Sequence, residues 1–352
     1  MSRGGLCITM AVVVVIMHDQ SMNTDPIEAL PKRRRRALRF LFRIVLALVF
    51  VAVGVGMTVW LRPFWVLEKV TEFQLLRAGI HSRSMIVDGV RVHYLEGGSG
   101  KSIVLIHGLG SQAWQDWNDL APQLVHAGYH VYAPDLLGFG NSAKPDVAYS
   151  IPLEAQFVEG FMNAKHLESV DIIGNSMGGW IALTVALERP PLVARLTLFD
   201  SVGMTFKFSF DPMIFTPETR AQVDQLIAGL TGESSQAPNL LKDDVIRRTR
   251  NDGWVVKRVL ASMTEGRDFL DTRLSSIKVP TLIIWGKQDT LVPLALGLSM
   301  HTGISQSTMV IYDQCGHIAF QMCSDRVTPT VLSFLRGQGP APGTSTEVAA
   351  KP

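Results

Sequence analysis

The chain has 352 residues, 47% of them hydrophobic, enough to bury one large core either alone or with an insertion. Lys and Arg number 33 against 31 Asp and Glu, for a net charge of +2 with 18% of residues charged. That balance carries no electrostatic footprint for nucleic acid, so no nucleic-acid partner is expected.

The basic residues are concentrated at one place. "KRRRRALRFLFR" (32–43) holds seven of them and runs directly into "IVLALVFVAVGVGMTVWL" (44–61), 18 residues without a charge. A stretch of that length spans a bilayer as a helix, and Trp60, Phe64 and Trp65 sit at its far end, where aromatic rings favour the interface. A buried core helix would carry polar residues along one face, whereas this run has only Thr58. Only Arg62, Lys69 and Arg77 follow within about 20 residues, so the charge bias keeps the N-terminus cytoplasmic and the C-terminal part on the periplasmic or extracytoplasmic side. The run starts too late in the chain for a cleaved leader. An earlier apolar run, 6–17, is too short to span comfortably, and Met22 after it offers a second start codon besides Met1. Cys7 is isolated, while Cys315 and Cys323 either pair or stay free; free thiols are the expectation.

Residues 62–83 have apolar positions at helical spacing, a juxtamembrane helix that lies along the membrane or packs on the domain. "SMIVDGVRVHYLEGG" (84–98) reads as two strands joined by Asp88-Gly89, a hairpin turn. Strands at 102–108, 130–136, 169–174 and 195–200 then alternate with helices at 113–128, 151–168 and after Ser176. Residues 201–276 break this rhythm with charge-laced helical segments and no apolar strand. Strands resume at 281–286 and 308–313, and a last helix ends near Arg336. Residues 339–352 have the composition of a disordered tail. Strands that alternate with helices imply a mostly parallel, eight-stranded α/β sheet with helices on both faces. The insertion at about 201–276 reads as a cap over the edge where such sheets bind ligands.

"IIGNSMGG" (172–179) places Ser176 between a buried strand and a helix, with Gly174 and Gly178 to allow a tight turn. A serine hydroxyl becomes a nucleophile only when a base takes its proton. His317, in "DQCGHIAF" after the last strand, is the candidate. The imidazole needs an acid to fix its tautomer; Asp289 in "WGKQDTLVP" is favoured, with Asp200 at the end of "LTLFD" as rival. Two backbone amides must hold the oxyanion: Met177, after the nucleophile, and Leu109 in "HGLG". His107 holds that loop.

Together "VLIHGLGSQAWQDW", "YAPDLLGFGNSAKP", "IIGNSMGG", "VPTLIIWGKQD" and "CGHIAF" resemble the α/β-hydrolase family over residues 84–338, in order and spacing. The resemblance implies a Ser176–His317–Asp289 triad needing no metal and no cofactor. Ser176 stands where dehalogenases and epoxide hydrolases of the family carry aspartate, so both drop out. An anchored core of this kind looks like the monoacylglycerol-lipase and bacterial lipase-like branch, which implies an acylglycerol or other lipid-like ester as substrate. The apolar cap run Met204, Phe206, Phe208, Phe210, Met213, Phe215 is either cap core or an acyl-chain surface. Phe206, Phe208 and Trp114 are the candidate substrate contacts, with helix packing the competing role for Trp114 and Trp117. A carbon–carbon bond hydrolase of ring-cleavage products is the alternative, although that branch tends to have a longer oxyanion loop and no anchor. A catalytically silent membrane scaffold would usually lack a triad member. Oligomeric state is left open.

Overall fold

The computed structural model describes residues 31–350. The second start codon, Cys7 and the apolar run at 6–17 lie outside the described residues. The chain divides into a first unit ending at Val59 and a compact second unit from Trp60 onward. α1 (Lys32–Leu61) is one 30-residue helix with no buried residue, and among the described residues it is the one helix long and apolar enough to cross a membrane.

The second unit begins with α2 (Pro63–Arg77), started by a proline at its first position. One face of α2 packs inward through Glu68, Thr71 and Leu75, while Trp65, Leu67, Val70, Phe73 and Leu76 stay exposed. The hairpin follows as β1 (Ile80–Val87) and β2 (Val90–Gly98). Asp88 and Gly89 both have positive φ, 50° and 78°, as a two-residue turn matched to strand twist requires.

The remaining strands are β3 (Lys101–Ile106), β4 (Tyr129–Pro134), β5 (Val170–Asn175), β6 (Val193–Phe199), β7 (Thr281–Gly286), β8 (Ser307–Tyr312) and β9 (Ser345–Val348). Their order is β1-β2-β4-β3-β5-β6-β7-β8-β9, antiparallel at β1, β2 and β4 and parallel from there on. The sheet therefore has nine strands, not eight. The tail expected to be disordered supplies the ninth, since β9 pairs with β8 from Ser345 opposite Met309 to Val348 opposite Tyr312. A four-residue edge strand needs little apolar sequence because backbone hydrogen bonds to β8 hold it, which is why composition missed it.

β5, β7 and β8 are buried along their whole length, as strands covered on both faces must be. Alternate residues feed two cores. Val104, Ile106, Ile172 and Trp285 pack with α5 (Ile151–Ala164), α6 (Met177–Glu188) and α9 (Leu294–Gly303). Leu105, Ile173, Phe199 and Tyr312 pack on the opposite face with α3 (Ala113–Trp117), α4 (Leu120–His126) and α11 (Ser324–Leu335). The cap, between β6 and β7, holds α7 (Arg220–Thr231) and α8 (Asn239–Glu265). A four-residue helix, α10 (Ala319–Met322), precedes α11.

Asp135, just past β4, ties the loops at the carboxyl edge together. One oxygen accepts from His93 Nδ1 (2.7 Å) and the Asn141 amide (2.8 Å), the other from the Ala113 amide (2.8 Å). Burial alone would push this carboxyl up, but His93, His107 and the Asn141 amide outweigh it and hold it below the usual value. A lowered carboxyl contributes stability above its unfolded pKa and loses it as pH falls through the folded one. Asp135→Asn should therefore lose about 3 kcal/mol in urea unfolding at neutral pH, and the gap to the wild type should narrow as pH falls below 4.

Candidate active site

In the sheet order, β4 lies on one side of β3 and β5 on the other. Crevices open at such switch points, outside the carboxyl ends of the strands. Leu109 follows β3 there and Ser176 follows β5. Ser176 has φ 53° and ψ −116°, a strained conformation for a residue with a Cβ. Its amide donates to Phe199 O (2.8 Å), and the Val202 amide donates to Ser176 O (3.2 Å), so the end of β6 clamps the turn.

Ser176, His317, Leu109 and Met177 line one small cavity of about 20 Å³. Met177 is the first residue of α6, where helix N–H groups lack intrahelical acceptors and the helix dipole favours negative charge. His317 is buried on the loop after β8, and its Nδ1 lies 2.7 Å from Asp289 Oδ2. The other Asp289 oxygen accepts from the amides of Leu291 (2.8 Å) and Val292 (2.9 Å). Three contacts thus fix the carboxylate against the ring.

Asp200, the rival acid, lies elsewhere in this network. It is fully buried, its Oδ1 accepts from the Gly286 amide (2.7 Å), and its Oδ2 has no partner among the described residues. Burial, and then the neighbouring Asp289 charge, push its carboxyl well above the ordinary range. Asp200 braces the end of β7 while Asp289 faces the histidine.

The rest of the cavity is apolar. Phe206, Phe208, Phe210 and Phe215 line it with Val202, Leu260, Met263, Leu291 and Val292. The rings form a chain, with centroids 4.7, 5.4 and 6.2 Å apart. Alternation along 206–210 puts every second residue on one face, as in an extended segment. Trp114 requires a correction: it is 4% exposed and packs in the core on the other sheet face with Leu75, Ile103 and Phe320, away from the cavity. Its helix turns both tryptophans inward, which spacing from the oxyanion loop does not reveal.

Two features were missed in the sequence. Asp116, between those tryptophans, accepts from the Gly108 amide (2.9 Å), Asn175 Nδ2 (3.2 Å) and the Ser111 hydroxyl, so it joins the loop after β3 to the residue before Ser176. An acid between two tryptophans in "AWQDW" was the available signal. The expectation of free thiols is also corrected: Cys315 and Cys323 form a disulfide that closes the loop carrying His317. His107, as expected for a loop-holding residue, bridges Gly108 O (2.8 Å) and the Leu136 amide (3.0 Å). No cluster of metal-ligating side chains occurs among the described residues.

Residues 103–329 match the model of the alpha/beta hydrolase family. The chain belongs to that family. It is 32% identical over 261 residues to the 2-hydroxy-6-oxo-6-(2'-aminophenyl)hexa-2,4-dienoic acid hydrolase of Metapseudomonas resinovorans, covering 70% of this chain and 88% of the relative. Among solved structures, a membrane phospholipase A, a bacterial virulence factor, superposes with a TM-score of 0.73 at 28% identity, covering 85% of this chain and 98% of that one. The meta-cleavage product hydrolase of Pseudomonas fluorescens IP01 gives 0.66 at 26%, covering 72% and 97%.

The two acids respond to amidation in opposite ways. Asp289→Asn should lower kcat by roughly 10⁴-fold, the loss expected when an imidazole is left in the wrong tautomer. Asp200→Asn keeps an oxygen that accepts from Gly286 and removes a carboxyl whose charge burial disfavours, so its loss of kcat should stay within tenfold. A carboxyl raised on folding gives stability present below its unfolded pKa and lost as pH rises through the folded one. The Asp200→Asn protein should accordingly lose less melting temperature between pH 5 and pH 9 than the wild type, read by thermal unfolding.

Proposed function

We propose that this hydrolase cleaves carboxylic esters of lipid-like acids through an acyl-enzyme on Ser176. The Ser176 hydroxyl attacks the ester carbonyl while His317, oriented by Asp289, takes its proton. The oxyanion rests on the Leu109 and Met177 amides, each worth roughly 3 kcal/mol of transition-state stabilisation. His317 then protonates the departing alcohol, and water activated by the same ring releases the acid. Phe206 and Phe208 contact the acyl chain.

The observation that carries this reading is the lining of the cavity. Apart from Ser176 and His317 it is wholly apolar, with no Lys or Arg among its described residues. A 2-hydroxy-6-oxodienoic acid brings a carboxylate, and burying that charge without a partner is costly. A fatty acyl chain gains roughly 0.8 kcal/mol for each methylene buried. The 20 Å³ now open is too small for a chain, so the phenylalanines on the irregular segment after β6 must part on binding. The breadth of the likeness supports the same reading: 85% of 352 residues is about 299, more than the 269 from Ser84 to the end, so the match to the phospholipase extends into the N-terminal helices. Carbon–carbon bond hydrolysis is the second reading, favoured by the 32% identity to the dienoic acid hydrolase.

The proposal includes location. Residues 1–43 form a basic cytoplasmic segment, 44–61 the membrane span and 62–83 a juxtamembrane helix, with the hydrolase domain (84–338, cap 201–276) outside the cytoplasm. The exposed Trp65, Val70, Phe73 and Leu76 of α2 suit a bilayer interface. The Cys315–Cys323 disulfide suits an oxidising compartment.

Full-length protein in detergent should hydrolyse p-nitrophenyl esters with kcat/KM rising from short to long acyl chains, and Ser176→Ala should lower kcat by 10⁴-fold or more, as the loss of a triad nucleophile does. Inactivity on every ester, with turnover of a dienoate, would retire the ester reading. In cells, Cys315 and Cys323 should resist maleimide until reduced; prompt labelling would place the domain in the cytoplasm.

A further inference from the structure

A second cavity, of about 410 Å³, adjoins the one at Ser176. Phe215 lines both, and Leu109 in the first is followed directly by Gly110 in the second, so the two share a ring and a stretch of the oxyanion loop. Its volume lies in the range of small-molecule sites, roughly 300–1,000 Å³. Its chemistry is the opposite of its neighbour's. Where the Ser176 cavity is apolar, this one carries four charged side chains of both signs: Glu68 from α2, Lys144 from the loop after β4, and Arg248 and Asp252 from α8.

The four charges form two loose pairs. Arg248 Nη2 lies 3.5 Å from Glu68 Oε2, and Lys144 Nζ lies 3.1 Å from Asp252 Oδ2. The Arg248–Glu68 contact is longer than the 2.7–2.9 Å usual for charge-assisted bonds, and both cations are part-exposed with donors to spare, so each can take a further acceptor. The Arg248 guanidinium also lies over the Phe64 ring, 5.3 Å from its centroid, which helps to hold it at the cavity. Glu68 is only 8% exposed. Asp252, by contrast, is exposed, so its pair with Lys144 contributes little to stability, and the mechanism at Ser176 uses none of these residues.

An ester has two halves, and two adjoining cavities of opposite character match them. We propose that the second cavity binds a zwitterionic phosphodiester headgroup, with Arg248 and Lys144 on the phosphate oxygens and Glu68 and Asp252 on the ammonium, while the acyl chain occupies the phenylalanine-lined cavity. The inference rests on the ester-hydrolase reading and assigns it a substrate class, zwitterionic glycerophospholipids. In the reaction, Ser176 Oγ bonds to the acyl carbon, the carbon–oxygen bond to the glycerol breaks, and His317 returns the serine proton to the glycerol oxygen. Water then releases the fatty acid, and the headgroup leaves unchanged on a lysophospholipid. An anionic headgroup without an ammonium would bring its charge against two carboxylates. An uncharged diacylglycerol would leave both ion pairs unanswered.

The test uses full-length protein in mixed micelles with four substrates of one acyl chain: phosphatidylethanolamine, phosphatidylglycerol, diacylglycerol and the p-nitrophenyl ester. The wild type should favour phosphatidylethanolamine over phosphatidylglycerol and diacylglycerol by about tenfold in kcat/KM, the value of one charge-assisted contact. In Arg248→Gln the ratio of kcat/KM for phosphatidylethanolamine to that for the p-nitrophenyl ester should fall about tenfold, mainly through KM. The paired variant Arg248→Gln/Glu68→Gln, which leaves no orphaned charge, should show the same fall. Equal rates on the three lipids in the wild type would overturn the proposal even if the single variant did not fold. So would variants whose phosphatidylethanolamine and p-nitrophenyl rates fall together. A wild type inactive on the p-nitrophenyl ester as well would instead remove the ester reading beneath it.

Discussion

The first turn of α6 approaches the sheet more closely than side chains permit. A Cβ at Gly178 would sit 2.1 Å from the Ile106 carbonyl oxygen, and one at Gly174 would sit 2.4 Å from that of Gly178. Only glycine fits at either place. That contact sets the sharpness of the turn, leaves Ser176 at positive φ, and brings the free amide end of α6 beside the loop after β3. A serine at this tip stands clear of both strand and helix. Loosening the contact would move the hydroxyl and the helix amide apart, since both are positioned by the same turn.

The loops around that turn are held chiefly by buried carboxylates. Asp116, Asp135 and Asp289 each collect two or more donors, mostly backbone amides, from different segments. A carboxylate accepts several bonds at once, and in a low-dielectric interior each is stronger than in water. Rigid loops result without regular secondary structure. Asp200 shows the limit of the device: full burial and the neighbouring Asp289 outweigh its backbone amide donors and push its carboxyl upward. The two acids at neighbouring strand ends therefore divide the work, one facing the histidine and one buried behind it against the end of β7.

The proteins this chain resembles include both lipases and carbon–carbon bond hydrolases, and the proposed triad suits either chemistry. Ester and carbon–carbon bond hydrolysis each need a nucleophile, a base and an oxyanion site, and a fold that supplies these does not choose between them. On the proposed reading the choice falls to the cap, whose phenylalanines leave no cation in the cavity at Ser176 itself, while Arg248 and Lys144 stand in the adjoining one. On that reading substrate class is set by the insertion between β6 and β7 and by α2, rather than by the shared sheet.

Much of the architecture follows from short-range rules that act within the sequence itself. Asp88-Gly89 makes a hairpin because both positions tolerate positive φ. Buried strands read as apolar runs, and the charge-laced break after Asp200 marks the cap. Ser176, His317 and Leu109 were legible because each follows a strand, and strand ends of a parallel sheet share one edge. What lay beyond the sequence depends on partners distant along the chain. Asp289, favoured in the sequence over Asp200, meets His317, but that contact forms only when loops distant along the chain come together. Trp114 turns into the opposite core, β9 forms only against β8, and Cys315 reaches Cys323 around a short helix. Local propensity determines which element forms, but burial and pairing are properties of two surfaces, and the second surface exists only once the chain has folded.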